Sequence, residues 1–313
     1  MQTSPGFVDL QVNGFLGADF NSDELELDVM ASACRRLRSD NVSGILATII
    51  TDNVAKMCGR LARIRELRAA DPVIAEVIWG IHIEGPFLNE QPGYIGAHPA
   101  HAARAADVAI MDRLLDAAGD LVRVVTLAPE RDARCEVTRL LASRGIRVSA
   151  GHCDASMEQL RAAIDAGLSM FTHLGNGCPL HLHRHDNIIQ RVLSLADNLW
   201  IGLIADGIHV PAPALRNVIR LAGTGRVFVV TDAIHAAGRG PGRYHFGGRE
   251  VVVDEHLATW DETRSHLVGA ASAMPDVVKV LRDQVGLSAA EIEQLTAVNP
   301  RRILADPVSV PSP

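Results

Sequence analysis

The sequence predicts a closed (β/α)8 barrel, and three observations carry that expectation. Eight short, nearly continuous apolar runs recur along the 313 residues, and amphipathic helical patterns separate most of them. Buried parallel strands covered by helices read in this way. No G-x-G-x-x-G opens the first helical pattern, which disfavours the alternative of a doubly wound open sheet built to bind a dinucleotide.

The runs, in order, are Phe7–Val12, Gly44–Ile50, Val77–Ile83, Leu121–Leu127, Ile146–Ser149, Leu168–Thr172, Leu199–Ile204 and Val227–Val230. Helical patterns lie at Glu24–Ser39, Asn53–Ala69, Asp107–Ala118, Arg131–Arg144, Met157–Ala166, Ile188–Leu195 and Pro213–Leu221. Two segments break the alternation. Gly85–Ala103 is a long loop after the third run, and long loops at that face of a barrel usually serve function. Ala237–Asp261 begins glycine-rich and turns into alternating REVVVDEH, the signature of a hairpin flap. Helical patterns at Ala273–Val285 and Ala289–Val298, and a short last one from Asn299, close a chain read as one catalytic domain spanning 1–313.

Composition narrows the function classes. The chain is 48% hydrophobic and 21% charged, with a net charge of −7 that gives no support for a nucleic-acid partner. Lys56 and Lys279 are the only lysines and both fall in helical patterns, so neither a Schiff-base lysine nor a metal-bridging carboxylated lysine is expected at a strand end. Five cysteines without C-x-x-C spacing predict free thiols and a cytoplasmic location. No basic and apolar leader pattern begins the chain, and no apolar run approaches bilayer length, so no membrane partner is expected.

Candidate chemistry gathers where strands end. In Ile146–Gly177, one strand stops before His152 and the next before His173, so both imidazoles fall at the carboxyl edge of neighbouring strands. Taken singly, each could be a core-edge histidine satisfied by backbone carbonyls. With Glu84 from the third strand they form a plausible three-ligand site for one divalent metal; zinc suits such donors, and iron, cobalt or manganese can use the same set. Asp232, at the end of the eighth strand, is placed to move protons as a general base and acid. A turn-capping role is its structural alternative.

The motifs PGFVDLQVNG, GIHIEGPFLN with GAHPA, TLAPE, SAGHCDAS, THLGNG, ADGIHV, VVTDA, LVGAASAM and LTAVNPRRIL follow one another from Pro5 to Leu304. In that order they resemble the N-acetylglucosamine-6-phosphate deacetylase family of the amidohydrolase superfamily. The resemblance implies a metal-dependent hydrolase that removes acetyl from an amino sugar, with Glu84, His152 and His173 as ligands of one divalent ion and Asp232 as acid and base. Gln11 and Asn13 stand where many amidohydrolases carry His-x-His, which implies the one-metal branch. The same resemblance implies His98 as a donor to the developing oxyanion. It implies substrate contacts at Ala97, His98, Asn176, Gly177, Arg184, Asp206, His209, Leu267, Val268 and Gly269. Arg184 and His209 match positions that hold the sugar phosphate, and the His209 position reaches into a neighbouring subunit, implying a homodimer.

Three departures from the family pattern bear on the substrate. The family's small β-sandwich has no counterpart around Pro5 and Leu304, which implies a nearly bare barrel whose base or sides need other cover. After His173 the chain reads HLGNGCPLHLHRHDN, with His181, His183 and His185 crowding the loop; a solvated loop is the expectation and a second metal the alternative. His235 stands beside Asp232 where the family has a small or apolar residue. A different N-acyl amino sugar, phosphorylated or not, and a non-catalytic sugar-phosphate-binding barrel are the competing functional readings.

Overall fold

The computed structural model describes residues 5–264 and 266–307. Eight parallel strands, each paired with its successor, form one sheet: Phe7–Val12, Val42–Ile50, Ile78–Glu84, Val122–Leu127, Arg147–Ala150, Leu168–Phe171, Trp200–Ile204 and Val227–Val230. They are called the first to eighth strands below. Every expected run falls on one of them. Val, Ile and Leu dominate because one face packs on helices while the other fills the barrel.

The helices follow the alternation with instructive differences. α1 (Leu27–Ser39) and α2 (Val54–Ala70) cover the first strands, and α3 (Pro72–Val77), unexpected from the periodicity, leads into the third. Its start is written in the sequence all the same: the Asp71 carboxylate accepts from the Val73 and Ile74 amides, and Pro72 takes the first helical position. α4 (Val108–Ala118) matches its pattern. α5 (Glu136–Ser143) begins later than expected because Cys135 adopts a left-handed φ of 51°. α6 (Met157–Asp165), α7 (Ile188–Leu193) and α8 (Ala212–Ala222) complete the ring, and α9 (Met274–Val280), α10 (Ala289–Glu293) and α11 (Asn299–Ala305) end the chain.

The first and eighth strands meet along a seam held largely by other means than a regular ladder. Just below the mouth, the Asp9 carboxylate accepts from the Thr231 hydroxyl at 2.6 Å and from the amides of Thr231 and Gln11. At the mouth, the Asp232 amide donates to the Gln11 carbonyl at 3.0 Å and the Asn13 amide to the Ala233 carbonyl at 2.7 Å. Closure is therefore tightest where Asp232 leaves its strand.

The barrel's lower interior is packed by Val8, Leu10, Leu46, Val124, Met170 and Phe228, among others. Ile303 of α11 joins that cluster from below and is fully buried. Arg147 Nε donates to the Ile303 carbonyl at 2.8 Å, and Asn299 Nδ2 donates to the Thr224 and Val227 carbonyls. The last helix thus covers the base from within the chain, correcting the expectation that the base needs other cover.

The 237–261 excursion contains the antiparallel hairpin Gly242–Phe246 with Arg249–Val253, widened by a third strand, Thr259–Asp261. Tyr244, Phe246, Val251 and Val253 pack with Ile50, Ile234 and Val268, so the flap's apolar side seals one rim of the mouth.

Ile303→Ala should lower stability by about 2–5 kcal/mol, because it opens a cavity at the plugged base. Urea unfolding followed by circular dichroism measures the loss, and a change below about 1 kcal/mol would show that α11 does not close the barrel.

Candidate metal centre

Three residues leave their strands in the same way. His152 follows Ala150 by two positions, His173 follows Phe171 by two, and Asp232 follows Val230 by two. Their φ angles are 51°, 33° and 54°, in the left-handed region that L-residues other than glycine seldom occupy. Each such residue costs about 1–3 kcal/mol and persists only where surrounding contacts fix it. Here those contacts are backbone hydrogen bonds on either side. The Thr172 amide donates to Ala150, the Leu174 amide to Gly202, and the Ala270 amide to Asp232 itself, all between 2.8 and 3.0 Å. The turn takes each side chain off the wall and over the mouth. Glu84 instead ends its own strand, and Gly85 behind it has φ 94°; an added Cβ there would lie 2.0 Å from Thr51 Oγ1, so only glycine fits.

The donor atoms converge. Glu84 Oε1 lies 3.1 Å from His173 Nε2 and 3.3 Å from His152 Nε2, and the two imidazole nitrogens are 3.1 Å apart. Two ligands bound tetrahedrally at about 2.0–2.1 Å from a zinc-sized ion stand about 3.3–3.4 Å apart. The three atoms therefore already stand close to the spacing that ligands of one such ion adopt. His152 Nδ1 donates to the Tyr94 carbonyl at 2.7 Å, which leaves Nε2 with a lone pair facing the cluster, the outer hydrogen bond that metal-ligating histidines typically make. His173 Nδ1 is buried without a partner. Glu84 also forms a three-donor group with His98 and His152 whose ligand atoms lie within 4.8 Å. Among the described residues no such group forms from His181, His183 and His185, so the second-metal alternative for that loop has no support.

Burial and charge act together on the acids and imidazoles at the mouth. Burial opposes ionisation of Glu84, but its contacts with the His152 and His173 side chains outweigh it and hold the carboxyl well below its ordinary value. Burial likewise pulls His173 down, and its hydrogen bond to Glu84 more than compensates, leaving it raised. Gln11 Nε2 sits between the two acids, donating to Glu84 at 3.1 and 3.2 Å and to Asp232 Oδ1 at 3.1 Å. An amide NH2 there presents positive hydrogens where a second ion would need lone pairs. Asn13 Nδ2 gives Asp232 Oδ1 a second donor at 2.7 Å. Among the described residues no donor reaches Asp232 Oδ2. Burial, and then the Glu84 charge, push the Asp232 carboxyl up to about 6.

His98 completes the inner site from the loop after the third strand. Its Nδ1 accepts from the Thr51 amide at 3.4 Å, so the proton resides on Nε2, 3.9 Å from Glu84 Oε2. Burial, and then its neighbour His152, push His98 down to about 3, so it is a neutral N–H donor near neutral pH. Its ring stands edge-on to His152 at 4.4 Å.

The remaining expected residues fall into three groups. Ala97 packs under the flap cluster, where Val268 is fully buried; Leu267 bridges to Trp260, and Gly269 accepts from the Thr259 hydroxyl. Asn176 turns back to the His173 carbonyl through both its amides, and Gly177 packs against His152 so closely that an added Cβ would lie 2.8 Å from Nδ1. Asp206 and His209 form a pair at 2.7 Å; burial alone would raise Asp206, but the His209 hydrogen bond holds it below its ordinary value. The His209 side chain is 7% exposed and close enough for its charge to act on Asp232. Asp206 holds the ring within hydrogen-bonding distance. Arg184 is not brought in: it is exposed, on a loop where Leu180 is 93% exposed. His235 is buried against the Tyr244 and Phe246 rings at 5.9 and 6.4 Å, with Nδ1 unpartnered.

Sequence reasoning passed over two supports. Gln11 carried a signal, as a polar residue inside an apolar strand, but its double reach to Glu84 and Asp232 did not. The Tyr94 carbonyl carried none, since any residue supplies one.

The chain is 33% identical over 298 residues to the N-acetylglucosamine-6-phosphate deacetylase of Bacillus subtilis (strain 168), spanning 94% of this chain and 73% of that one. It is 34% identical over 309 residues to the Homo sapiens protein of the same name, spanning 96% and 74%. Against the N-acetylgalactosamine-6-phosphate deacetylase of Escherichia coli O157:H7 it is 30% identical over 300 residues, spanning 96% and 77%. Among solved structures, a variant of the Mycobacterium smegmatis N-acetyl-D-glucosamine-6-phosphate deacetylase in complex with N-acetyl-D-glucosamine 6-phosphate superposes with a TM-score of 0.86 at 28% identity. That superposition covers 96% of this chain and 77% of the other. The Thermotoga maritima N-acetylglucosamine-6-phosphate deacetylase gives 0.84 at 27% identity, covering 98% and 80%. No protein-family model matches the chain.

Metal analysis of purified variants separates the two overlapping donor groups. His173→Ala should lose the bound divalent ion and His98→Ala should retain it in full; the opposite result would place His98, not His173, in the ligand set.

Proposed function

The chain belongs to the N-acetylglucosamine-6-phosphate deacetylase family, and from that premise we propose that it hydrolyses the N-acetyl amide of N-acetylglucosamine 6-phosphate, releasing acetate and glucosamine 6-phosphate. The observation that carries this reading is the convergence of Glu84, His152 and His173 at 3.1–3.3 Å, with Asp232 tethered to the same Glu84 through Gln11.

Glu84 Oε1 and the Nε2 atoms of His152 and His173 are the atoms that would hold one divalent ion. We assign zinc, on the match between borderline cation and mixed N/O donors. When bound, such an ion polarises an amide carbonyl and lowers the pKa of water from 15.7 toward about 7. The protein does the rest. Gln11 and Asn13 fix Asp232 Oδ1, leaving Oδ2 to take the proton of the attacking water and return it to the departing nitrogen. Burial raises the proton affinity of this carboxyl above that of an ordinary aspartate, so it can hold that proton until the nitrogen takes it. The neutral Nε2–H of His98 supports the negative charge that develops on the carbonyl oxygen. Asp206 orients His209 toward the sugar, and Ala97, Asn176, Gly177, Leu267, Val268 and Gly269 shape the pocket around it.

Free cysteines throughout and a lack of any described helix long and apolar enough to cross a membrane support a cytoplasmic enzyme. We also propose a homodimer in which the His209 position reaches into the neighbouring subunit's site, as the family resemblance implies. The chain acts as one barrel domain carrying the flap. A second substrate, the galactosamine epimer's 6-phosphate, is favoured by the Escherichia coli relative.

Acetate release assayed on N-acetylglucosamine 6-phosphate, N-acetylgalactosamine 6-phosphate and unphosphorylated N-acetylglucosamine should rank them in that order. No preference for the phosphate would refute the proposed substrate. Asp232→Asn should lower kcat by about 10²–10⁴-fold with metal content unchanged. Removal of the metal by chelation should abolish turnover, and added zinc should restore it.

A further inference from the structure

Beneath the mouth, the barrel interior holds a polar belt that the chemistry above does not use. His82 stands two residues before Glu84 on the third strand and is 2% exposed. Its Nε2 meets Thr126 Oγ1 at 2.8 Å; Thr126 Oγ1 meets Thr172 Oγ1 at 2.7 Å, and Thr172 Oγ1 meets Ser149 Oγ at 2.7 Å. On its other side, His82 Nδ1 lies 3.5 Å from Thr48 Oγ1, which accepts the Val12 amide at 3.0 Å. One chain of polar contacts therefore crosses strands one to six. Barrel interiors are ordinarily filled by branched apolar side chains, and each buried polar group costs free energy unless it is partnered.

The belt touches every strand that delivers a donor. Thr172 directly precedes His173. Gly151, directly before His152, packs on the belt so closely that an added Cβ would lie 2.8 Å from Thr126 Cγ2 and 3.0 Å from Thr172 Cβ. His82 is the only ring in the chain of contacts, a rigid spacer with a polar atom on each side, whereas a hydroxyl can rotate among partners. Apolar side chains of similar volume would fill the layer without fixing register, since dispersion contacts are non-directional.

We propose that His82 is a positioning residue for the metal centre: through Thr126 and Thr172 it sets the spacing between Glu84 and His173, and so the affinity for the divalent ion. This rests on Glu84, His152 and His173 being the ligands. It is distinct from the chemistry, because His82 contacts neither the reacting atoms nor any of the three donor atoms.

The test is zinc affinity of metal-free protein, measured by competition with a chromophoric chelator, alongside the melting temperature of the same metal-free samples. His82→Leu and Thr126→Val should each weaken zinc binding about 10–100-fold, the scale seen when outer-shell partners of metal ligands are removed. His82→Gln, which places an amide where Nε2 lies, should stay within about threefold of the parent, and the double variant His82→Leu/Thr126→Val should be no weaker than either single one, as expected of residues in one network. Should His82→Leu fail to fold, Thr126→Val decides alone. Unchanged zinc affinity with a lowered melting temperature would overturn the proposal and leave the belt a structural feature. A parent chain that binds no zinc would refute the metal centre itself, and this inference with it.

Discussion

Everything at the mouth is arranged around one buried carboxylate. Glu84 is 2% exposed, at a depth where an unpaired charge costs several kcal/mol even after relaxation. The chain meets that cost with polar side chains from three other strands: Gln11 from the first, His152 after the fifth and His173 after the sixth. Gln11 on the first strand reaches Asp232 after the eighth only because the sheet closes, and the curvature of the barrel brings His173, three strands from Glu84, over the same opening. Closure, the seam at Asp9 and the plug at Ile303 are thus conditions for the site and not merely for stability. The same carboxylate raises the proton affinity of Asp232 and holds His173 above its ordinary value, so a single charge organises both the ligand set and the base.

Backbone strain is the second requirement. A strand running straight on would leave His152, His173 and Asp232 alternating along the wall. The left-handed turn two residues past each strand end releases them over the opening instead. Three such residues in one site, each bracketed by hydrogen bonds to a neighbouring strand, indicate free energy held in the loops and balanced by the barrel beneath. The polar belt around His82 lies at that balance point, between the apolar plug and the strained rim.

The fold was legible because its signal is periodic. Eight apolar runs in alternation with helices admit few architectures, and all eight fall on strands. Boundaries failed where a single residue overrides a pattern: Cys135 with positive φ shortens α5, and Asp71-Pro72 starts a helix too short for periodicity to show. For the site, strand-end position was enough to select Glu84, His152, His173 and Asp232, since a barrel brings strand ends together whatever lies between them. Gln11 bridging two acids, Tyr94 giving a carbonyl to His152 and Thr51 setting the His98 tautomer were not legible, because each depends on a distance across strands or on a backbone atom that carries no residue identity. The Asp206–His209 pair at 2.7 Å was legible only as two polar residues in ADGIHV, because their contact depends on the turn between them.

The central claim is that one divalent ion is held by Glu84, His152 and His173 beside an aspartate that moves the proton. Anomalous diffraction from zinc-loaded crystals, collected on both sides of the zinc edge, tests it most directly. The account predicts one peak per chain, about 2.0–2.2 Å from Glu84 Oε1 and from the Nε2 atoms of His152 and His173. A second peak between Glu84 and Asp232, where Gln11 Nε2 now lies, or a peak ligated by His98 in place of His173, would contradict it.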